Sequence, residues 1–174
     1  MEKSRVYLNG YMAAGKSTIG VQLASALGFS FIDLDKFIEE KYFMSIASIF
    51  EKEGESGFRE KERDALQELS VFENVVIATG GGTPCFYNNM DVIRHTGISI
   101  YLKTPMDLLV RRLTQNNSQR PIVRGKSEVE LRSFIVQALE YREPFYLQSD
   151  IVCISEDTLT TKNLIDHIDS FLKE

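Results

Sequence analysis

The eight residues GYMAAGKS, positions 10–17, constrain this chain more than any other stretch. They fit G-x-x-x-x-G-K-[ST], and each part of that pattern has a physical reason. Glycines let backbone N–H groups turn inward around an anion with no Cβ in the way. A helix that follows offers the positive end of its dipole and its unpaired N–H groups to the same anion. The context agrees. The apolar run RVYLN precedes the loop, and Ile19, Val21, Leu23, Ala24 and Leu27 follow at helical spacing up to Gly28. In this pattern Lys16 reaches the β- and γ-phosphates of ATP or GTP and the Ser17 hydroxyl ligates Mg2+. The alternative is a chance glycine turn at a helix start, and the strand-before, helix-after context speaks against it.

The rest of the chain repeats that alternation. Short apolar strands are expected at residues 5–9, at FSFIDLD ending on Asp33 and Asp35, at VVIAT (75–79), at ISIYL (98–102) and at DIVCI. Helical spacing fills 17–27, much of 36–69 with breaks near Gly54 and Gly57, MDLLVRRL after Pro105, 127–146 and 159–172. Ser127 with Glu130 three residues on has the form of a capping box. Residues 116–127 hold Asn116, Asn117, Ser118, Pro121 and Gly125 and are expected as a loop. Five strands separated by helices call for an α/β fold with a parallel sheet covered on both faces. Ligands in such sheets sit at the carboxyl ends of the strands, where residues 10–17, the pair Asp33 and Asp35, and Gly80, Gly81 and Gly82 all fall.

Composition narrows the function classes. At 174 residues, 43% of them hydrophobic, the chain suits one domain with an ordinary core. No apolar run approaches the ~20 residues of a membrane span, and the start has no signal-peptide pattern, so a cytoplasmic location is expected. Cys85 and Cys153 are expected as free thiols, with no metal-ligand spacing to His95 or His167. A net charge of −5 argues against nucleic acid as a partner. The local run RRLTQNNSQRPIVRGK, with Arg111, Arg112, Arg120, Arg124 and Lys126, fits a small anionic ligand better than a polymer.

Three features bear on the acceptor. Asp33 and Asp35, if extended, face one side, where one carboxylate orders a metal-bound water and the other accepts a hydroxyl proton. The alternatives are a solvated turn, or Asp35 as the N-cap of a helix starting at Lys36. Arg59 fits either a bidentate clamp on a carboxylate or an ordinary helix ion pair with Glu62 or Glu55. The glycine triple after strand 75–79 lets backbone amides approach a ligand, or is a flexible turn.

Taken together, GYMAAGKST, DLD, FREKE at 58–62, TGGG, RPI at 120–122 and YREPFY at 141–146 resemble the shikimate kinases, in order and spacing, over essentially the whole chain. The resemblance implies a three-layer α/β/α sandwich of the P-loop NTPase type, as a single domain with shikimate-binding helices near 36–70 and a mobile lid near 114–127. It implies phosphorylation of the 3-hydroxyl of shikimate by ATP with Mg2+, in aromatic amino acid biosynthesis, by a monomer with no membrane or nucleic-acid partner. It implies that Gly10, Ala13, Ala14, Gly15, Lys16, Ser17 and Thr18 bind ATP, with Ser17 and Asp33 at the metal. Asp35 would hold the shikimate hydroxyls and serve as, or stand in for, the base. Arg59 and Arg142 would clamp the carboxylate, Gly80, Gly81 and Gly82 would line the pocket, and Phe58 would pack on the ring. Arg120 would stabilise the transferring phosphoryl from the lid, and Arg112 or its neighbour Arg111 would stack on adenine. The family commonly has glycine where this chain has Ala13; if that position needs φ > 0, alanine costs ~1 kcal/mol. Ile122 in place of the common leucine is a near-neutral change. Rival readings are another small-molecule kinase, such as a gluconate or nucleoside-monophosphate kinase, and a non-catalytic ATP-binding module.

Overall fold

The structure is a computed structural model that describes residues 4–115 and 125–173. Strands and helices alternate as β1 (Arg5–Asn9), α1 (Lys16–Leu27), β2 (Ser30–Asp33), α2 (Leu34–Tyr42), α3 (Ile46–Leu69), β3 (Val75–Ala78), a 3-10 turn (Thr83–Cys85), α4 (Asn89–Thr96), β4 (Ile98–Lys103), α5 (Met106–Gln115), α6 (Glu128–Tyr146), β5 (Ile151–Ile154) and α7 (Thr161–Phe171). The expected lid lies mostly, and Arg120 wholly, outside the described residues.

All four strand pairings are parallel, in the order β2-β3-β1-β4-β5. The expected α/β class and five-stranded parallel sheet are borne out. A parallel sheet must be covered on both faces, and β3 accordingly has no exposed residue. On one face α1 and α7 pack Leu23, Leu164 and Ile168 against Val6, Leu8 and Ile100. On the other, α2, α3 and α4 pack Ile38, Leu66, Leu69 and Ile93 against Tyr7, Val75 and Ile77. A third cluster joins α5 and α6 to Tyr11 of the glycine loop through Leu109, Leu113, Leu131 and Ile135.

Register decides where the chemistry lies. Asp33 pairs with Ala78, Ala78 with Leu8, and Asn9 with Tyr101. The residues that leave the strands at Gly10, Leu34 and Thr79 therefore emerge side by side along one edge.

Local signals explain most boundaries. Ser127 and Glu130 form the expected capping box at α6, and Thr160 with Asn163 forms a second at α7. Two expectations need correcting. The strand at FSFIDLD stops at Asp33, because the Asp33 carboxylate accepts hydrogen bonds from the amides of Asp35 and Lys36 and so starts α2 at Leu34. The 36–69 region breaks between α2 and α3, where Phe43 turns left-handed at φ +52, and again at Gly54, with φ +70 and ψ −172, while Gly57 is helical. Cys85 and Cys153 are free and buried, and burial raises both thiols to about 11. No described helix is long and apolar enough to cross a membrane.

Candidate active site

The loop between β1 and α1 borders a cavity of about 620 Å³ that reaches Asp33, Asp35, Thr79 and Gly81 on one side and Ser155, Glu156, Asp157 and Leu159 on the other. Gly10 has φ +143, and a Cβ there would lie 2.9 Å from the Leu102 carbonyl oxygen, so only glycine fits. Gly15, at φ +95, caps α1 with no side chain, which leaves the first N–H groups of the helix facing the cavity. Ala13 also has a positive φ, +63. Ala14 is fully buried, and its carbonyl accepts from the Ser155 hydroxyl at 3.0 Å. Lys16 Nζ donates to the Gly10 and Tyr11 carbonyls at 2.7 and 2.9 Å, which holds the ammonium across the loop mouth. Ser17 and Thr18 follow on the exposed first turn of α1 and line the same cavity.

Ser17 Oγ donates to Asp33 Oδ2 at 2.8 Å, while Asp33 Oδ1 takes the amides of α2. Asp33, not Asp35, is thus the N-cap. Asp35 sits in the first turn of α2, exposed to the crevice, with Oδ1 2.9 Å from the Gly80 Cβ position. Its pKa is raised to about 6, first by loss of hydration and then by the charges of Asp33 and Glu62, with Lys16 opposing.

Gly80, Gly81 and Gly82 each face a different candidate side chain. A Cβ on Gly80 would meet Asp35 Oδ1 at 2.9 Å and Glu62 Oε1 at 3.0 Å; one on Gly82 would meet Arg59 Nη2 at 2.7 Å. The Gly81 Cβ position lies 3.5 Å from Arg142 Nη1. Asp35, Arg59 and Arg142, distant in sequence, are thus brought together around one backbone segment. Arg59 makes both of the ion pairs considered from the sequence, Nη1 to Glu62 at 2.8 Å and Nη2 to Glu55 at 3.2 Å. The Glu62 pair is buried, with Arg59 9% exposed and Glu62 1%, whereas Glu55 lies at the surface. The guanidinium also lies 3.9 Å from the Phe86 ring centroid. Phe58 is buried, 4.7 Å from the Phe50 ring and under the Arg59 guanidinium.

This geometry sets an anion-binding helix start beside a glycine segment with two guanidinium groups against it, and similarity to known proteins agrees. The family model described as Shikimate kinase matches residues 12–173. The chain belongs to the shikimate kinase family. It is 44% identical over 169 residues to the shikimate kinase of Parabacteroides distasonis, covering 97% of this chain and 98% of that one. It is 50% identical over 148 residues, 85% of each chain, to the shikimate kinase of Bacteroides thetaiotaomicron. The crystal structure of a Bacteroides thetaiotaomicron shikimate kinase matches with a TM-score of 0.89 at 44% identity, over 98% of both chains. A shikimate kinase from Acinetobacter baumannii, solved in complex with shikimate, matches with a TM-score of 0.84 at 34% identity, over 99% of this chain and 94% of that one. As a shikimate kinase family member the chain is an enzyme with ATP as its co-substrate, as expected from its motifs.

Several residues of the candidate site are not evident from the sequence motifs. Ser155, Glu156, Asp157 and Leu159 line the cavity opposite the phosphate loop. Their signal was available, since they follow β5 at the same edge as the other three features. Asp157 also separates the two neighbouring arginines. Arg112 donates to Asp157 Oδ1 at 3.0 Å and to the Ala13 carbonyl at 3.1 Å, inside the cavity wall. Arg111 pairs with the other Asp157 oxygen from the exposed side. Glu62 and its partner Thr83, whose hydroxyl donates to Glu62 Oε1 at 2.6 Å, were likewise missed as site residues.

Proposed function

We propose that this chain transfers the γ-phosphoryl group of ATP to the 3-hydroxyl of shikimate, with Mg2+. The convergence of Asp35, Arg59 and Arg142 on residues 80–82, beside the phosphate loop, carries the reading. Shikimate is a small carboxylated triol, and this is the donor and acceptor set that such a molecule needs: guanidinium groups for the carboxylate and a carboxylate for the hydroxyls. Gly80, Gly81 and Gly82 form the floor, and Phe58 supports it by backing Arg59.

Ser17 Oγ and Asp33 Oδ2 offer hard oxygen donors 2.8 Å apart. Two such donors suit an ion that keeps waters and phosphate oxygens as its other ligands. Bound there, Mg2+ would neutralise charge on the phosphate oxygens. Lys16 adds its charge at the loop mouth, the α1 N–H groups bind the phosphates, and Arg112 borders the adenine end. Asp35 aligns the acceptor hydroxyl and takes its proton; a carboxylate with a pKa near 6 is ionised at neutral pH yet more basic than usual. Arg120, outside the described residues, is the further cation proposed for the transferring group. The whole chain is read as one catalytic unit acting as a monomer, since every named group belongs to one chain. A solution mass well above 19.8 kDa would overturn that part.

The test is ADP release with ATP and Mg2+, run with shikimate, with gluconate and with no acceptor. Stimulation by shikimate alone is the expected result. Stimulation by gluconate alone, or by neither acid, overturns the acceptor assignment. Lys16→Ala should abolish turnover with an unchanged circular dichroism spectrum.

A further inference from the structure

We infer that Tyr146 is the positioning residue for Arg142: its hydroxyl fixes the guanidinium over the glycine floor and so sets the affinity for the substrate carboxylate. The inference rests on the reading above, in which Arg142 binds that carboxylate.

Tyr146 is fully buried in the last turn of α6. Its hydroxyl donates to the Gly81 carbonyl. Arg142 stands one turn earlier on the same helix, so both side chains share a face. The Arg142 guanidinium lies against the same glycine, its Nη1 3.5 Å from the Gly81 Cβ position. One hydroxyl can thus accept from Arg142 and donate to Gly81, joining the side chain that meets the ligand to the backbone that forms its floor. The hydroxyl stays protonated, because burial pushes its pKa up more than the nearby Arg142 pulls it down. On its other side Arg142 faces the Tyr11 ring, with 5.7 Å to the centroid.

Two details argue that this contact positions a side chain rather than merely holding a helix. Pro144 lies between the two residues and removes the N–H that would have bonded to the Glu140 carbonyl, so the last turn lacks an internal restraint. The chain just beyond α6 has its own anchor, since Asn9 Nδ2 donates to the buried Ser149 hydroxyl at 3.1 Å. The Tyr146 ring also packs against Tyr101, 5.1 Å between centroids. Tyr146→Phe keeps that ring contact and the helix anchor and deletes only the hydroxyl.

The experiment is calorimetric titration of shikimate, without nucleotide, into the whole protein and into Tyr146→Phe, Arg142→Ala and the double variant, with KM for ATP measured in parallel. Tyr146→Phe should weaken shikimate binding about tenfold, in the range of a hydrogen bond to a charged group, with KM for ATP within about twofold of wild type. In the Arg142→Ala background it should add nothing. The preference for shikimate over its uncharged methyl ester should shrink in Tyr146→Phe as well. If Arg142→Ala weakens binding and Tyr146→Phe does not, the inference falls and the carboxylate reading stands. Losses that multiply in the double variant also overturn it, since Tyr146 would then act independently of Arg142. If Arg142→Ala leaves binding unchanged, the carboxylate reading of Arg142 fails and takes the inference with it.

Discussion

Asp33 divides its oxygens, Oδ1 to the amides that begin α2 and Oδ2 to the Ser17 hydroxyl, and so ties the start of a helix to the proposed metal position. Asp33→Ala should therefore cost ~1 kcal/mol of stability as a lost cap, measured by urea unfolding, as well as turnover. Its neighbour Asp35 behaves in the opposite way. Its folded-state pKa, about 6, stands above the ordinary 3.8, so the folded protein holds this proton more tightly than the unfolded chain does. Its contribution to stability is present at acid pH and declines as pH rises between those two values. Asp35→Asn should remove that decline and be more stable than the parent protein at pH 7, while losing on the order of 10²–10⁴-fold in kcat if Asp35 is the base. Unfolding at a series of pH values, alongside kinetics, reads both signs. The acid limb of kcat/KM should fall near pH 6 in the parent protein. Ala13, at φ +63, meets the condition under which alanine was expected to be strained. Ala13→Gly should gain ~0.5–1 kcal/mol, because relief of the left-handed conformation outweighs the added chain entropy.

The glycine segment after β3 acts as a spacer whose missing side chains are occupied by other elements. Gly82→Ala drives a methyl group into the Arg59 guanidinium and should raise KM for shikimate tenfold or more while leaving KM for ATP near wild type. Equal effects on both would place Arg59 elsewhere in the reaction. Glu62→Ala leaves the buried Arg59 without its principal partner and should cost about 3–5 kcal/mol in urea unfolding. The strands β1, β3 and β4 were legible in the sequence because continuous apolar runs suit a sheet covered on both faces, and α6 because its cap is local. The end of β2 was not, because the Asp33 side chain competes with strand extension for the same amides. The ion pairs of Arg59 were legible from helix spacing, but its burial was not, since the residues that cover it come from the glycine segment and Phe86, far along the chain. That Arg112 and not Arg111 lines the cavity was not legible either, since Asp157, which pairs with both, reaches them only through the tertiary fold.

At the scale of the molecule, the register of five parallel strands gathers nearly every proposed function on one edge, and the cavity lies along it. Ligands that bind only this folded arrangement must stabilise it as a whole. Shikimate at about 100 times its dissociation constant should add roughly 2.7 kcal/mol to unfolding, read as a rise in Tm. The same register leaves the turns at the opposite edge without chemistry. The turn from Ser70 to Val75 is the clearest, because it is exposed throughout 71–74. Tolerance to inserted peptide should therefore alternate along the chain with each crossing of the sheet. A short epitope spliced after Val71 should leave turnover intact, while the same epitope within residues 80–82 should silence the protein. The site thus has a built-in far side, where this protein can be tagged, tethered or fused without touching its reaction.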